Sequence, residues 1–244
     1  MIRDVINGLL GFIGAFNDLG KYKLWKFVWI SGVLSLLVAS VFFFFIYQYY
    51  DDLGGWASNF YKWETGSTFI SKLLNFISGA IMIISVMLVF KYIILILVSP
   101  IMSLVSEKVE KQISLEPAQA GAFNFSAIIR GLRLSLSNIF RELGLTLALL
   151  VVSIFPFVGI VSAPAIFIVQ AYYAGFGNMD YTMERYYNIP QSRSFVSRNK
   201  GIAIGNGVGY VLLLMIPIVG LFFAPILATV SCTKAVLRKR ELLT

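Results

Sequence analysis

Lys23 and Lys26 stand three residues apart, just ahead of a stretch from Phe27 to Tyr50 that holds 24 residues without a charge. Arg130 and Arg133 repeat that spacing inside NFSAIIRGLRLSLSNIFREL at 124–143. Cations beside the start of an uncharged helix suit one chemistry in particular. The first turn of a helix has free N–H groups and a partial positive charge, so with lysine or arginine nearby it attracts an oxyanion. The same side chains also serve as anchors to lipid headgroups, and the residues alone leave both uses open. Lys91 is isolated within an apolar run, where a cation is costly unless it has a partner or snorkels to the interface. Asn206, set among Gly205, Gly207 and Gly209, suits either a hydrogen bond between helices or plain packing.

Two further residues, Gly159 and Gly220, belong to a repeated frame: FPFVGIVSAPAIF at 155–167 and IPIVGLFFAPILA at 216–228. Each copy reads proline, any residue, Val-Gly, three more residues, then Ala-Pro. The spacing predicts a turn, with a second helical arm starting just past Pro164 and Pro225 and aiming its free N–H groups at that turn. The glycines then either admit a ligand to the backbone or only keep the turn compact.

Composition decides where such a site must sit. Of the 244 residues, 58% are hydrophobic and 13% charged, with a mean hydropathy of +0.82. A soluble domain would be about a quarter charged. The chain therefore reads as a single integral membrane domain over 1–244. Histidine is absent and Cys232 is the one cysteine. There is no paired-cysteine motif, no phosphate-binding Gly-Lys-Ser/Thr loop and no G-x-S-x-G elbow. No catalytic residue, metal or cofactor is expected. The formal charge of +8 is ascribed to basic loops that orient a membrane protein rather than to nucleic-acid binding. The opening MIRDVINGLLGFIGAFNDLGKYKLWK lacks a small-residue cleavage site, so no cleavable signal peptide is expected.

Four apolar blocks must position these residues. The first two predict spans at about 27–50 and 73–100, since a helix rises ~1.5 Å per residue and the hydrocarbon core is ~30 Å thick. The third and fourth, 143–179 and 202–233, each contain one copy of the proline frame. Cut there, they give arms of about 20 Å, too short to cross. Two re-entrant helical hairpins result, with one kinked helix per block as the alternative. Charge favours the hairpins. The far-side segment 51–72 then carries Lys62 and Lys72 alone among the 20 Lys and Arg. The positive-inside rule places both termini, with 112–142, 180–201 and 234–244, in the cytoplasm. Residues 124–143 predict an amphipathic interfacial helix, and 180–201 a polar, proline-broken connector between the hairpins.

Several stretches resemble a known family. IPIVGLFFAPILATVSCTKAVL, following DYTMERYYNIPQSRSFVSRNKGIAIGNGVG, is similar to the C-terminal signature of the CysZ-like membrane proteins, which include the bacterial sulfate permeases. SPIMSLVSEKVEK at 99–111 and the Arg141-Glu142 pair resemble further parts of that pattern. The resemblance implies an all-α integral membrane fold of two long transmembrane helices plus two partly penetrating hairpins. It also implies a multi-pass protein of the inner (plasma) membrane, assembled as a homo-oligomer, with sulfate uptake feeding cysteine synthesis. The family's anion site is associated with a Gly-Leu-Arg motif just before the first span. Here Lys23-Leu24-Trp25-Lys26 stands in that place, and the Gly131-Leu132-Arg133 triplet lies elsewhere. A non-transporting membrane scaffold of the same fold is the alternative reading.

Overall fold

The structure, a computed structural model, describes residues 1–48, 68–114, 125–153, 156–216 and 218–241. Eight helices are found there: α1 Ile2–Lys21, α2 Trp25–Gln48, α3 Thr68–Ile113, α4 Phe125–Val152, α5 Pro156–Met183, α6 Ile189–Arg198, α7 Lys200–Leu214 and α8 Val219–Glu241. Among the described residues no strand occurs, as expected for an all-α membrane protein. Among the described residues, three helices are long and apolar enough to cross a bilayer: Trp25–Phe45, Ile129–Val152 and Val219–Glu241. The expected span at 73–100 lies within α3, whose 46 residues rise about 69 Å, well beyond a ~30 Å core. Most of the expected far-side segment, together with the side chain of Lys91, falls outside the described residues.

The apolar pattern explains the layering. The spanning window of α8 is 72% buried, against 28% for α2 and 22% for the window in α4. So α8 is the axis of the bundle, touching α1, α2, α3, α5 and α7, while α2 and α4 lie outside it. The amphipathic α1 was not expected from the sequence. It buries Gly8, Phe12, Ala15 and Leu19, spaced four, three and four apart, against α7 and α8. It ends where Lys23 takes a left-handed backbone, φ 52, uncommon for a side chain other than glycine, asparagine or aspartate.

The hairpin turns lie earlier than the proline frame suggests. The chain breaks after Val152 and after Leu214, and Pro164 and Pro225 sit inside α5 and α8. Two physical reasons account for this correction. Pro156 opens α5, where a proline's missing N–H costs no hydrogen bond. An interior proline is tolerated in membrane helices when neighbours satisfy the freed backbone groups. Pro100 in α3 shows the same device: the Ser99 hydroxyl donates to the Ile96 carbonyl at 2.7 Å. The arms are also longer than the apolar blocks implied, because 124–143 and the first arm fuse into one 28-residue helix, α4. Between the hairpins, α6 is capped by Asn188 and Gln191, whose side chains each bond the other's backbone N–H.

Candidate functional site

The ends of α3, α5 and α8 meet in a buried polar cluster. Its centre is an ion pair, Arg185 Nη2 to Glu110 Oε2 at 2.6 Å, with side chains 3% and 1% exposed. Every nitrogen of the guanidinium is used. Nε also donates to Glu110 at 3.1 Å, Nη1 to the Tyr181 carbonyl at 2.8 Å and Nη2 to Ser106 Oγ at 2.8 Å. The Tyr186 hydroxyl donates to the other Glu110 oxygen, and Arg240 lies over the Tyr186 ring at 3.7 Å. Such a pair is held where water is scarce, and each further bond offsets part of the desolvation cost.

From this pair a set of hydroxyls leads inward. Ser106 of α3, Thr182 of α5 and Thr233 of α8 contact one another at 2.8, 3.0 and 3.0 Å. One helical turn deeper, Asn178 and Thr229 occupy the same faces of α5 and α8, four residues before Thr182 and Thr233. On α7, Asn206 Nδ2 donates to the Ala228 carbonyl of α8 at 3.3 Å, and Tyr210, one turn further along, is fully buried. Four buried atoms here have no protein partner among the described residues: Asn178 Oδ1, Asn206 Oδ1, Tyr210 Oη and Thr229 Oγ1. Buried polar groups are nearly always hydrogen-bonded, so unpartnered atoms on α5, α7 and α8 suit water or a polar solute.

Just outside α5, the Ser103 hydroxyl donates to Glu184. Burial lifts the Glu184 carboxyl from its ordinary 4.5 to about 7; Ser103, Arg185 and Arg130 pull it back, and Asp180 reinforces the rise. Beside it, Arg130 makes a two-pronged bond to Asp180, at 2.8 and 3.1 Å, and reaches Ser192 at 2.7 Å. This fork joins α4, α5 and α6.

The basic residues singled out in the sequence fall into two neighbourhoods. Lys23 and Lys26 stand at the α1–α2 corner. There the Lys23 carbonyl accepts from Lys108 Nζ at 2.9 Å, and Lys26 lies 5.0 Å from the centre of the Phe27 ring. Arg130 is committed to Asp180 and Ser192, whereas Arg133, three residues on, is exposed. Gly159 and Gly220 sit in the first turns of α5 and α8, ahead of the positions where second arms were expected to begin. The Gly220 N–H is bonded to the Ile216 carbonyl at 2.8 Å, so it is not aimed at a ligand. A Cβ on Gly220 would lie 2.2 Å from the Leu213 carbonyl oxygen, which accounts for glycine at this tight return. Arg185, Glu110, Thr182 and Thr233 were not singled out beforehand. Their one sequence signal is that carboxylate and guanidinium stand at the ends of apolar helices, and pairing across 75 residues has no local signature.

Fold and site together define an all-α integral membrane protein with a charged and hydroxylated core at one end of its bundle. Residues 11–225 match the family described as sulfate transporter CysZ/etoposide-induced protein 2.4, and the chain belongs to that family. The resemblance read from the sequence is thereby upheld. No curated protein matches the chain.

Proposed function

We propose that this protein conducts a small oxyanion, sulfate foremost, across the inner (plasma) membrane into the cytoplasm. The observation that carries the reading is membership of the CysZ family, joined to unpartnered buried polar atoms on α5, α7 and α8. Unsatisfied polar groups inside an apolar bundle support contact with a hydrated or hydrogen-bonded anion. Lys23 and Lys26 supply positive charge at the cytoplasmic mouth of α2, screened by salt over ~8 Å at physiological ionic strength. Trp25 stands where an arginine fork would grip an oxyanion from two sides, so affinity at this mouth is correspondingly weaker.

In proteoliposomes, radiolabelled sulfate uptake is expected with wild-type protein and absent from empty vesicles. Lys23→Ala/Lys26→Ala is expected to lower uptake at low salt severalfold, with a smaller difference as salt rises. Wild-type protein that gives no uptake favours the scaffold reading. Equal uptake by the double variant places the anion's entry away from these lysines.

The proposed topology has two spans, α2 and α3, two cytoplasmic re-entrant hairpins, α4–α5 and α7–α8, and both termini in the cytoplasm. Penetration depth supports this. The arm α7 rises about 22 Å, short of a ~30 Å core. Ile129–Val152 and Val219–Glu241 are long enough to cross. Arg130, Arg133 and Arg141, however, hold the first half of α4 at the interface, leaving about 18 Å beyond Arg141. Arg238, Lys239 and Arg240 do the same at the end of α8. With Cys232 replaced by alanine, Ser197→Cys on the exposed face of α6 is expected to label only from the cytoplasmic side. Labelling from outside intact cells rules out this arrangement.

A further inference from the structure

A cavity of about 630 Å³ opens beside α1, between the ends of α3 and α8 and the start of α7. It lies within the range of roughly 300–1,000 Å³ typical of small-molecule sites. Its walls carry Lys21, Lys234, Arg238 and Lys239, against one carboxylate, Asp4. Asp4 faces the Met1 amino group at 3.2 Å, and Lys234 is held by Asp18 at 2.7 Å. Among the described residues Arg238 and Lys239 make no hydrogen bond or ion pair, while the Lys21 ammonium lies 5.5 Å from the Tyr22 ring centre. Three cations thus border one cavity without an anionic partner.

α1 fixes the depth of this cavity. It has three faces at helical spacing. Gly8, Phe12, Ala15 and Leu19 are buried in the bundle. Ile2, Ile6, Leu10, Ile13 and Phe16 form an exposed apolar stripe. Asp4, Asn7 and Lys21, between those two faces, line the cavity. A helix with such a stripe lies in a membrane interface with its apolar side toward the acyl chains, which sets the cavity at the level of lipid phosphates.

We propose that this cavity is a second anion site, distinct from the polar core, that binds a phosphate group through Lys21, Arg238 and Lys239. Arg238 offers a planar fork matched to two phosphate oxygens, and the lysines add point charges. The phosphate is carried either by an anionic phospholipid at the interface or by a soluble phosphate from the cytoplasm. Binding here braces α1 against the last turns of α8 and so stabilises the folded bundle.

The test is thermal unfolding of the full chain in detergent at constant ionic strength. Inorganic phosphate and dioctanoyl phosphatidylglycerol are titrated separately, with chloride and dioctanoyl phosphatidylcholine as controls. A rise in Tm with phosphatidylglycerol alone identifies lipid as the source, and a rise with phosphate identifies a soluble ligand. In Arg238→Gln/Lys239→Gln, and separately in Lys21→Gln, the apparent Kd is expected to weaken roughly tenfold per cation removed. The paired variants keep the test sound if one of them folds poorly. Absence of any shift in wild type overturns the proposal. So does an equal shift with the control ligands, or an undiminished shift in folded variants.

Discussion

Arg185→Ala is expected to cost most of the stability of the bundle, because it leaves Glu110 buried, charged and short of its main partner. Glu110 is 1% exposed, and breaking a buried pair by removing one member costs about 3–5 kcal/mol. Native domains are stable by only about 5–15 kcal/mol in total. Ser106 Oγ and the Tyr181 carbonyl lose donors in the same substitution, so α3 and α5 both loosen where they meet α8. In detergent, Arg185→Ala should give a strongly lowered Tm and poor recovery of monodisperse protein. Arg185→Lys keeps the charge, but its single nitrogen cannot reach all the acceptors that Nε, Nη1 and Nη2 reach, and it should fall between. Arg185→Leu/Glu110→Leu removes both charges and should recover much of the loss, since a buried pair replaced by apolar groups is often close to neutral. An unchanged Tm in Arg185→Ala would mean that water reaches Glu110 and that this end of the bundle is open.

This pair also marks the limit of what the sequence discloses. The span at 27–50 is legible because an uncharged run of that length has one stable use in a membrane, and α2 occupies Trp25–Gln48. The family is legible for a different reason: the C-terminal motif at 180–237 is specific enough to stand out from general hydrophobicity. The turns were misplaced because proline is ambiguous. It ends a helix from inside and begins one at the first position, and Pro156 does the second. α1 escaped notice because half of its buried stripe is the small pair Gly8 and Ala15, and the buried Asp18 stands beside Leu19. Arg130 and Arg133 look alike in sequence, three residues apart on one amphipathic segment. Only the tertiary position of Asp180 and Ser192 separates a committed guanidinium from an exposed one.

The small residues lead to the second large effect, at the crossing of α5 and α7. Gly207 lies against the backbone of Ala171: a Cβ placed on it would be 1.7 Å from the Ala171 carbonyl oxygen. Gly175 on the opposite helix stands in the same relation to Ala203, at 1.9 Å. In lipid there is little hydrophobic force to bring helices together, so close backbone approach through glycine and alanine carries much of the association. Because the obstructing atoms are backbone, no side-chain rotamer relieves the overlap, and the helices must separate along the crossing. Overpacking of well-packed interiors costs about 1–3 kcal/mol even where side chains can yield. Gly207→Ala is therefore expected to lower Tm by more than such substitutions usually do, and Gly207→Leu to prevent recovery of folded protein. Separation of α5 from α7 also displaces Asn178 and Asn206, whose buried side-chain oxygens lack partners, so residual folded protein should lose sulfate uptake. Gly14→Ala is the matched control, since a Cβ there meets nothing within 4 Å and alanine favours a helix over glycine by about 1 kcal/mol. That variant should be neutral or slightly stabilising. If Gly207→Ala behaves like Gly14→Ala, the two helices do not approach this closely.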